Sequence, residues 1–411
     1  MNTENIRELD RLDPLGGKRD LFVLPENLVY LDGNSLGALP AAAQKRTADI
    51  VQQQWGQDLV TSWNAHAWID LPVTVGEKIA PLLGAATGQV ICCDSISVNL
   101  FKLLAAALKM RKDRRVVLSQ SDNFPADLYI AEGLRGIGAG GAVDPKLVED
   151  DGIADALDDS VAVLMLTHVN YKSGKIHDMQ RLTRLAHEKG VLVIWDLAHS
   201  AGAVPLALDD CGVDFAVGCG YKYLNGGPGS PAFIYAAMRH HDSIRQPLSG
   251  WMGHAAPFAF DREYRAAPGM RQFLSGTPPI LSMGVLDAAL DVFAGVDIRE
   301  LRDKSRMLGE LFLELAAGDG CLAEFELASP ADSAQRGSQL ALAHPQAFAI
   351  CQAMIDRGVI ADFRAPDVLR LGFAPLYLRY SDIARSVEVL AGVMADKIYT
   401  QEKYLRRQKV T

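Results

Sequence analysis

The sequence predicts an α/β protein: a large domain on a mostly parallel sheet with helices on both sides, and a smaller α+β domain behind it. Three observations predict it. Between about residues 85 and 240, short apolar runs alternate with segments of helical spacing. One of those runs, Val191-Leu192-Val193-Ile194-Trp195, has no polar alternation, as expected of a strand buried on both faces. From roughly residue 280 the pattern changes to long helices, including Asp297 to Ala317, and short strands such as Val368-Leu369-Arg370-Leu371-Gly372-Phe373. A chain of 411 residues, 49% of them hydrophobic, can bury two cores. The division that follows is 40–280 for the large domain and 281–411, completed by 1–39, for the small one.

The elements follow in chain order. After the short strand Val90-Ile91-Cys92-Cys93, the segment Asp94-Ser95-Ile96-Ser97-Val98-Asn99 changes to helical spacing with capping residues at the change. That makes either an ordinary capped helix or a phosphate site, since free N–H groups at a helix start bind phosphate and the Ser97 hydroxyl adds a donor. The strand Val116-Val117-Leu118 leads to Asn123-Phe124-Pro125-Ala126-Asp127, where Phe124 offers a flat face for a ring or a core aromatic before a turn. A helix over 178–190, with Met179, Leu182 and Leu185 on one face, precedes the 191–196 strand, which ends on Asp196. Ligands in parallel sheets bind beyond the strands' carboxyl ends. A buried carboxylate there needs a cation, and a protonated pyridine nitrogen, as in pyridoxal phosphate, would serve. His199 then covers that ring, unless the pair is a helix cap and a core histidine.

The strand Phe215-Ala216-Val217-Gly218 leads into Gly220-Tyr221-Lys222-Tyr223-Leu224-Asn225-Gly226-Gly227-Pro228-Gly229-Ser230. One lysine in a glycine-flanked loop beyond a strand suits Schiff-base chemistry: glycines permit tight turns and close approach, and partial burial lowers an amine's pKa. A surface lysine in a turn is the alternative for that loop alone. Pro231-Ala232-Phe233-Ile234-Tyr235 closes the series as a strand.

On these strings, together with Tyr30-Leu31-Asp32-Gly33-Asn34-Ser35-Leu36-Gly37, Leu166-Thr167-His168-Val169-Asn170-Tyr171-Lys172 and Leu248-Ser249-Gly250-Trp251-Met252-Gly253-His254, the chain resembles the kynureninases, pyridoxal-phosphate (PLP) enzymes of fold type I. The resemblance implies a PLP-dependent transferase-like fold with a seven-stranded type of sheet. It implies Lys222 as the Schiff-base lysine, Asp196 on the pyridine nitrogen and His199 beside the ring. It also implies Ser97, Tyr221 and the main chain of Ile96 on the phosphate side, Phe124-Pro125-Ala126-Asp127 around the cofactor, and Thr167 near its phenolic oxygen or ring face. Trp251 and Thr277 would reach the site from the second subunit of a homodimer. Relatives often carry a hydroxyl residue where this chain has Ile96.

The activity implied is hydrolysis of L-kynurenine, or its 3-hydroxy derivative, to L-alanine and the corresponding anthranilate, in tryptophan catabolism. Arg370, in apolar company, needs a fixed anion, and a substrate carboxylate or a structural carboxylate would supply it; Arg364 is the weaker competitor. Thr277, shorter than an amide side chain, favours the ring without a 3-hydroxyl. A desulfurase or aminotransferase of the same fold usually carries histidine where Tyr221 stands, and a sensor descended from this fold would have lost Lys222 or gained a DNA-binding segment.

Composition narrows the remaining classes. A net charge of −9 speaks against nucleic acid, and the run Lys403-Tyr404-Leu405-Arg406-Arg407-Gln408-Lys409 reads as a solvated tail. No stretch reaches bilayer length and the N-terminus has no apolar signal region. Six cysteines without a C-x-x-C suit a reducing cytoplasm, and neither they nor the nine histidines show metal spacing.

Overall fold

The computed structural model describes residues 3–136 and 143–407, so Met1, Asn2 and the end of the basic run, Gln408-Lys409, lie outside the described residues. Its centre is a seven-stranded sheet in the order Val90–Cys92, Ala232–Ala236, Phe215–Cys219, Leu192–Asp196, Val161–Thr167, Val116–Gln120, Asp144–Val148. Ala232–Ala236 runs antiparallel to both its neighbours. The other pairings are parallel, as the unbroken apolar runs require. Carboxyl ends of the parallel strands and the amino end of Ala232–Ala236 therefore share one edge, where Thr167 is the register partner of Asp196.

Side chains alternate across a strand, so a strand buried on both faces feeds two cores. Leu192 and Ile194 pack into one apolar cluster with Val117, Val163 and Val217. Val193 and Trp195 enter the other with Leu118, Leu164 and Ala216. Helices cover both faces. Ile96–Met110 lies against the central strands and Met179–Glu188 against Leu192–Asp196, with Met179, Leu182 and Ala186 buried. The strand limits fall within a residue or two of the sequence reading, and the long helix runs Ile298–Gly318 with Asp297 as its cap.

A second, four-stranded antiparallel sheet has the order Glu326–Leu327, Gln339–Ala343, Val368–Gly372, Asp362–Arg364. The N-terminal segment joins it. Val29–Tyr30 pairs in parallel with Val359–Ile360, and the Gly372 N–H donates to Leu31 O at 2.6 Å. Asp13 and Lys304 form a buried ion pair at 2.6 Å, which fixes the same segment to the long helix. Asp10 accepts from Tyr380 N at 2.7 Å, capping the Tyr380–Ala395 helix from outside. Among the described residues no helix is long and apolar enough to cross a membrane.

Candidate active site

A cavity of about 140 Å³ opens at the carboxyl edge of the seven-stranded sheet. Thr167, Asp196 and Cys219 reach it from strand ends, and Ile96 and Ser97 from the first turn of Ile96–Met110. Phe124, Ala126 and Asp127 come from the start of the Pro125–Leu134 helix, and His199, Tyr221, Lys222 and Tyr171 from loops.

The lysine loop is shaped by close packing. Asn225, Gly227 and Gly229 have φ of 58°, 78° and 76°, the left-handed region that glycine enters without strain. A Cβ on Gly220 would stand 2.3 Å from Ser230 Oγ and one on Gly226 2.4 Å from the same atom, so these two glycines let the loop fold on itself. From the other side Gly37 donates its N–H to Tyr221 O at 2.7 Å, and a Cβ there would lie 2.3 Å from Lys222 O. The N-terminal segment thus clamps the loop. Lys222 Nζ is placed 3.0 Å from His199 Nε2 and 5.9 Å from the Phe124 ring centroid.

Two carboxyl groups sit at the floor of the cavity, both buried. Asp196 Oδ1 accepts from Ala198 N at 2.7 Å; neither oxygen of Asp127 has a partner among the described residues. Burial raises the pKa of Asp196 and the Lys222 ammonium opposes it. Burial, and then the charge of Asp196, push Asp127 well above the carboxylate range. Two acids in so small a space call for a proton or a cation between them. His199 is held well below its usual pKa by burial and by Lys222, so the imidazole is neutral. Tyr221 is raised by Cys219 and by burial, which keeps the phenol protonated.

At the helix start Ser95 is the cap, accepting from Val98 N at 3.4 Å, which leaves Ser97 in the first turn with its hydroxyl free to face the cavity. Behind it the fully buried Lys102 donates to Asp94 at 2.6 Å and to Phe273 O at 2.5 Å, tying this turn to the 269–273 segment.

Not every expected residue lines the cavity. Pro125 is the first residue of its helix, a position its missing N–H suits. Thr277 is exposed, and Trp251 is 39% exposed with its ring edge-on to Phe258 at 5.7 Å. Both lie on one surface loop system, where Met252 N donates to Ser275 O at 3.2 Å. Arg370 is 1% exposed and bound to Asp362, Nε to Oδ1 at 3.0 Å and Nη2 to Oδ2 at 2.5 Å, the structural carboxylate weighed as its alternative partner. Ser35, Asp32, Asp362 and Tyr171 surround this arginine and were missed in the sequence. The one usable signal was Asp362, two residues before Arg364 on a strand that places both near Arg370.

Comparison with known proteins identifies the architecture. A family model for the kynureninase C-terminal domain matches residues 301–390. Kynureninase from Pseudomonas fluorescens is 46% identical over 407 residues, covering 98% of each chain, and that from Burkholderia pseudomallei (strain 1106a) is 46% identical over 413 residues, covering 99% of each. Among solved structures, the cystine C-S lyase C-DES with its product cysteine persulfide superposes with TM-score 0.77 at 17% identity, over 89% of this chain and 98% of that one. An apo cysteine desulfurase from Thermococcus onnurineus NA1 gives 0.74 at 15%, over 96% and 99%. The two structures share the fold and little sequence. Identity of 46% over nearly the full length of both relatives places this chain in the kynureninase family.

Proposed function

We propose that the protein hydrolyses L-kynurenine to anthranilate and L-alanine, with pyridoxal 5′-phosphate in the cavity and Lys222 as the amine that holds it. One observation carries the reading: a lysine amine faces two buried acids across a cavity whose polar atoms lack partners. Both oxygens of Asp127, Thr167 Oγ1 and Ser230 Oγ are buried without hydrogen bonds, so the cavity fits a polar, ring-sized guest. When bound, PLP supplies an electron sink for the bonds that change at the substrate's α- and β-carbons.

The chain's own groups do the rest. Asp196, with Asp127 beside it, would hold a proton on the pyridine nitrogen, and Phe124 and the neutral His199 would cover the ring. Ser97, the N–H groups of the first helical turn and Tyr221 would take the phosphate. Lys222, with its amine at the cavity, would take the Cα proton of the substrate. Water adds at the γ-carbonyl, and the protonated Tyr221 phenol donates to the oxygen that becomes negative there. Cleavage of Cβ–Cγ leaves anthranilate, and a proton at Cβ followed by return of a proton from Lys222 to Cα completes alanine.

A desulfurase needs a reactive thiolate. The one thiol lining the cavity, Cys219, is buried and its pKa is pushed up by that burial, which speaks against it. A homodimer is supported by the exposure of Trp55 (57%), Val60 (76%) and Phe260 (77%), apolar surface that a second copy would cover. In that assembly Trp251 and Thr277 complete the neighbour's site. All six cysteines are free, which agrees with a reducing cytoplasm. The deciding assay incubates protein, PLP and L-kynurenine and follows fluorescent anthranilate with stoichiometric alanine; pyruvate, a keto acid or sulfide in their place would overturn the assignment.

A further inference from the structure

We propose that Lys102 is the positioning residue of the phosphate turn: its buried ammonium fixes the backbone of Asp94-Ser95-Ile96-Ser97 so that the turn's N–H groups and the Ser97 hydroxyl meet the phosphate of PLP. The proposal deepens the reading of the cavity as a PLP site and rests on it.

Where the strand Val90–Cys92 gives way to the helix Ile96–Met110, the chain turns sharply, and Asp94 does so at φ 47°. That is the left-handed region, which a residue with a Cβ enters only at a cost, Asp and Asn least reluctantly. Something must hold it there. The main chain is held from one side: Asp94 O accepts from Ala232 N at 2.8 Å, and Cys93 O accepts from Asn99 Nδ2 at 2.8 Å. The side chain is held from the other by Lys102, whose Nζ donates to Asp94 Oδ2 at 2.6 Å. Helical side chains lean toward the N-terminus, so this lysine reaches back to the turn that precedes its own helix.

The ammonium has a second anchor. It donates to Phe273 O at 2.5 Å, and both Lys102 and Phe273 are wholly buried. Gly269–Phe273 runs on to Ser275, whose carbonyl accepts from Met252 N at 3.2 Å; a Cβ on Gly250 would stand 2.2 Å from that oxygen. One cation therefore joins the phosphate turn to the loop system that carries Trp251 and Thr277. A buried ion pair is weak evidence for stability, because desolvation offsets much of its attraction. Fixing a strained turn is the better account of this one. Lys102 also compensates the Asp94 carboxylate, which would otherwise stand one residue from Ser95 at the cavity and repel a phosphate there.

The test separates phosphate from ring. Full-length protein freed of cofactor is titrated with PLP and with pyridoxal, which has the same ring and aldehyde but no phosphate, and both dissociation constants are read from the absorbance of the lysine-bound cofactor. For Lys102→Met the constant for PLP rises about 10- to 150-fold, the range of a lost charge-assisted bond, and that for pyridoxal stays within about threefold of wild type. Asp94→Asn on that background regains part of the loss, because asparagine tolerates the same φ and carries no charge. Equal weakening of both ligands, the outcome for a residue that only stabilises the fold, overturns the proposal, as does a PLP constant within about threefold of wild type. Should Lys102→Met fail to fold, Lys102→Gln is read by the same criterion. A wild type that binds PLP no more tightly than pyridoxal overturns the phosphate site itself. One that binds PLP but forms no anthranilate overturns the hydrolytic reading, and the two constants then still decide for or against Lys102.

Discussion

Lys222 Nζ stands 3.0 Å from Nε2 of His199, an imidazole that burial keeps neutral. The lysine is thereby aimed across the cavity before any ligand arrives, and the 5.9 Å to the Phe124 ring leaves room between them for a flat group. Replacing Lys222 by alanine is expected to lower kcat by roughly 10²- to 10⁴-fold or more, the span for loss of a positioned acid–base group. Borohydride reduction of the loaded wild type should mark the peptide that contains Lys222; a mark on Lys172 would sink the assignment.

The two acids differ in their support, since only Asp196 receives a backbone hydrogen bond. Asp196→Asn is expected to retain PLP yet slow exchange of the Cα proton of L-alanine in heavy water by roughly 100-fold or more, because no anion then holds the ring nitrogen's proton. Asp127→Asn should cost less. Exchange at the wild-type rate in Asp196→Asn contradicts the role.

Acid should destabilise the protein through its buried histidines. Burial lowers His168 from 6.5 to about 3, and its Nδ1 is 2.9 Å from Ser200 Oγ. The folded-state pKa is depressed, so the unfolded chain binds the proton more readily. This site's contribution is complete above pH 6.5 and is lost as pH falls toward 3. At pH 5 the loss from this one site is roughly 2 kcal/mol. Urea midpoints measured from pH 7 to 4.5 should fall more steeply for wild type than for His168→Asn, and parallel curves would remove His168 from the account. Asp32, held up at about 7, works in the opposite sense: its contribution is present below pH 4 and fades as pH rises through 7.

If Trp251 and Thr277 act in the neighbouring subunit, two inactive variants should rescue each other. Mixing Lys222→Ala with Trp251→Ala under subunit exchange is expected to restore activity to about a quarter of wild type at most, because only mixed dimers carry one intact site. No recovery, or a fully active monomer in sedimentation, argues against the shared site.

Ring specificity is the remaining expectation. If Thr277 faces the substrate ring from the second subunit, its side chain, shorter than an amide, would leave a substrate 3-hydroxyl without a partner in reach, at about 1 to 3 kcal/mol. L-Kynurenine should therefore be preferred over 3-hydroxykynurenine by roughly 5- to 150-fold in kcat/KM, and Thr277→Asn should narrow the gap. Equal or reversed preference in the wild type means the residue does not set specificity.

Much of this was readable from the chain alone. The mostly parallel sheet was legible because unbroken apolar runs and helical spacing are local patterns, and Asp196 follows as a strand end; Thr167 came only with the family resemblance, and Cys219 and the strands Asp144–Val148 and Val161–Thr167 were not marked. Lys222, His199 and Asp127 lie in strings close to those ends. What stayed hidden was long-range: Ser35 donates to Asp362 across 327 positions, and nothing local in Asp32-Gly33-Asn34-Ser35 marks that segment as the support of two arginines. Arg370 was singled out as needing an anion, but that Asp362 supplies one depends on a strand pairing, Asp362 opposite Arg370, that spacing alone does not reveal.

The clamp of Gly37 on the lysine loop, together with the pairing of Val29–Tyr30 with Val359–Ile360, bears on how the protein is made. The first forty residues leave the ribosome early and wait for partners near the other end. The large sheet and the cavity lining, which runs from Ser95 to Ala232, can form while they are still unattached, but the lysine loop is not clamped until this segment docks. Activity should therefore appear as the final event of refolding, later than the return of sheet structure.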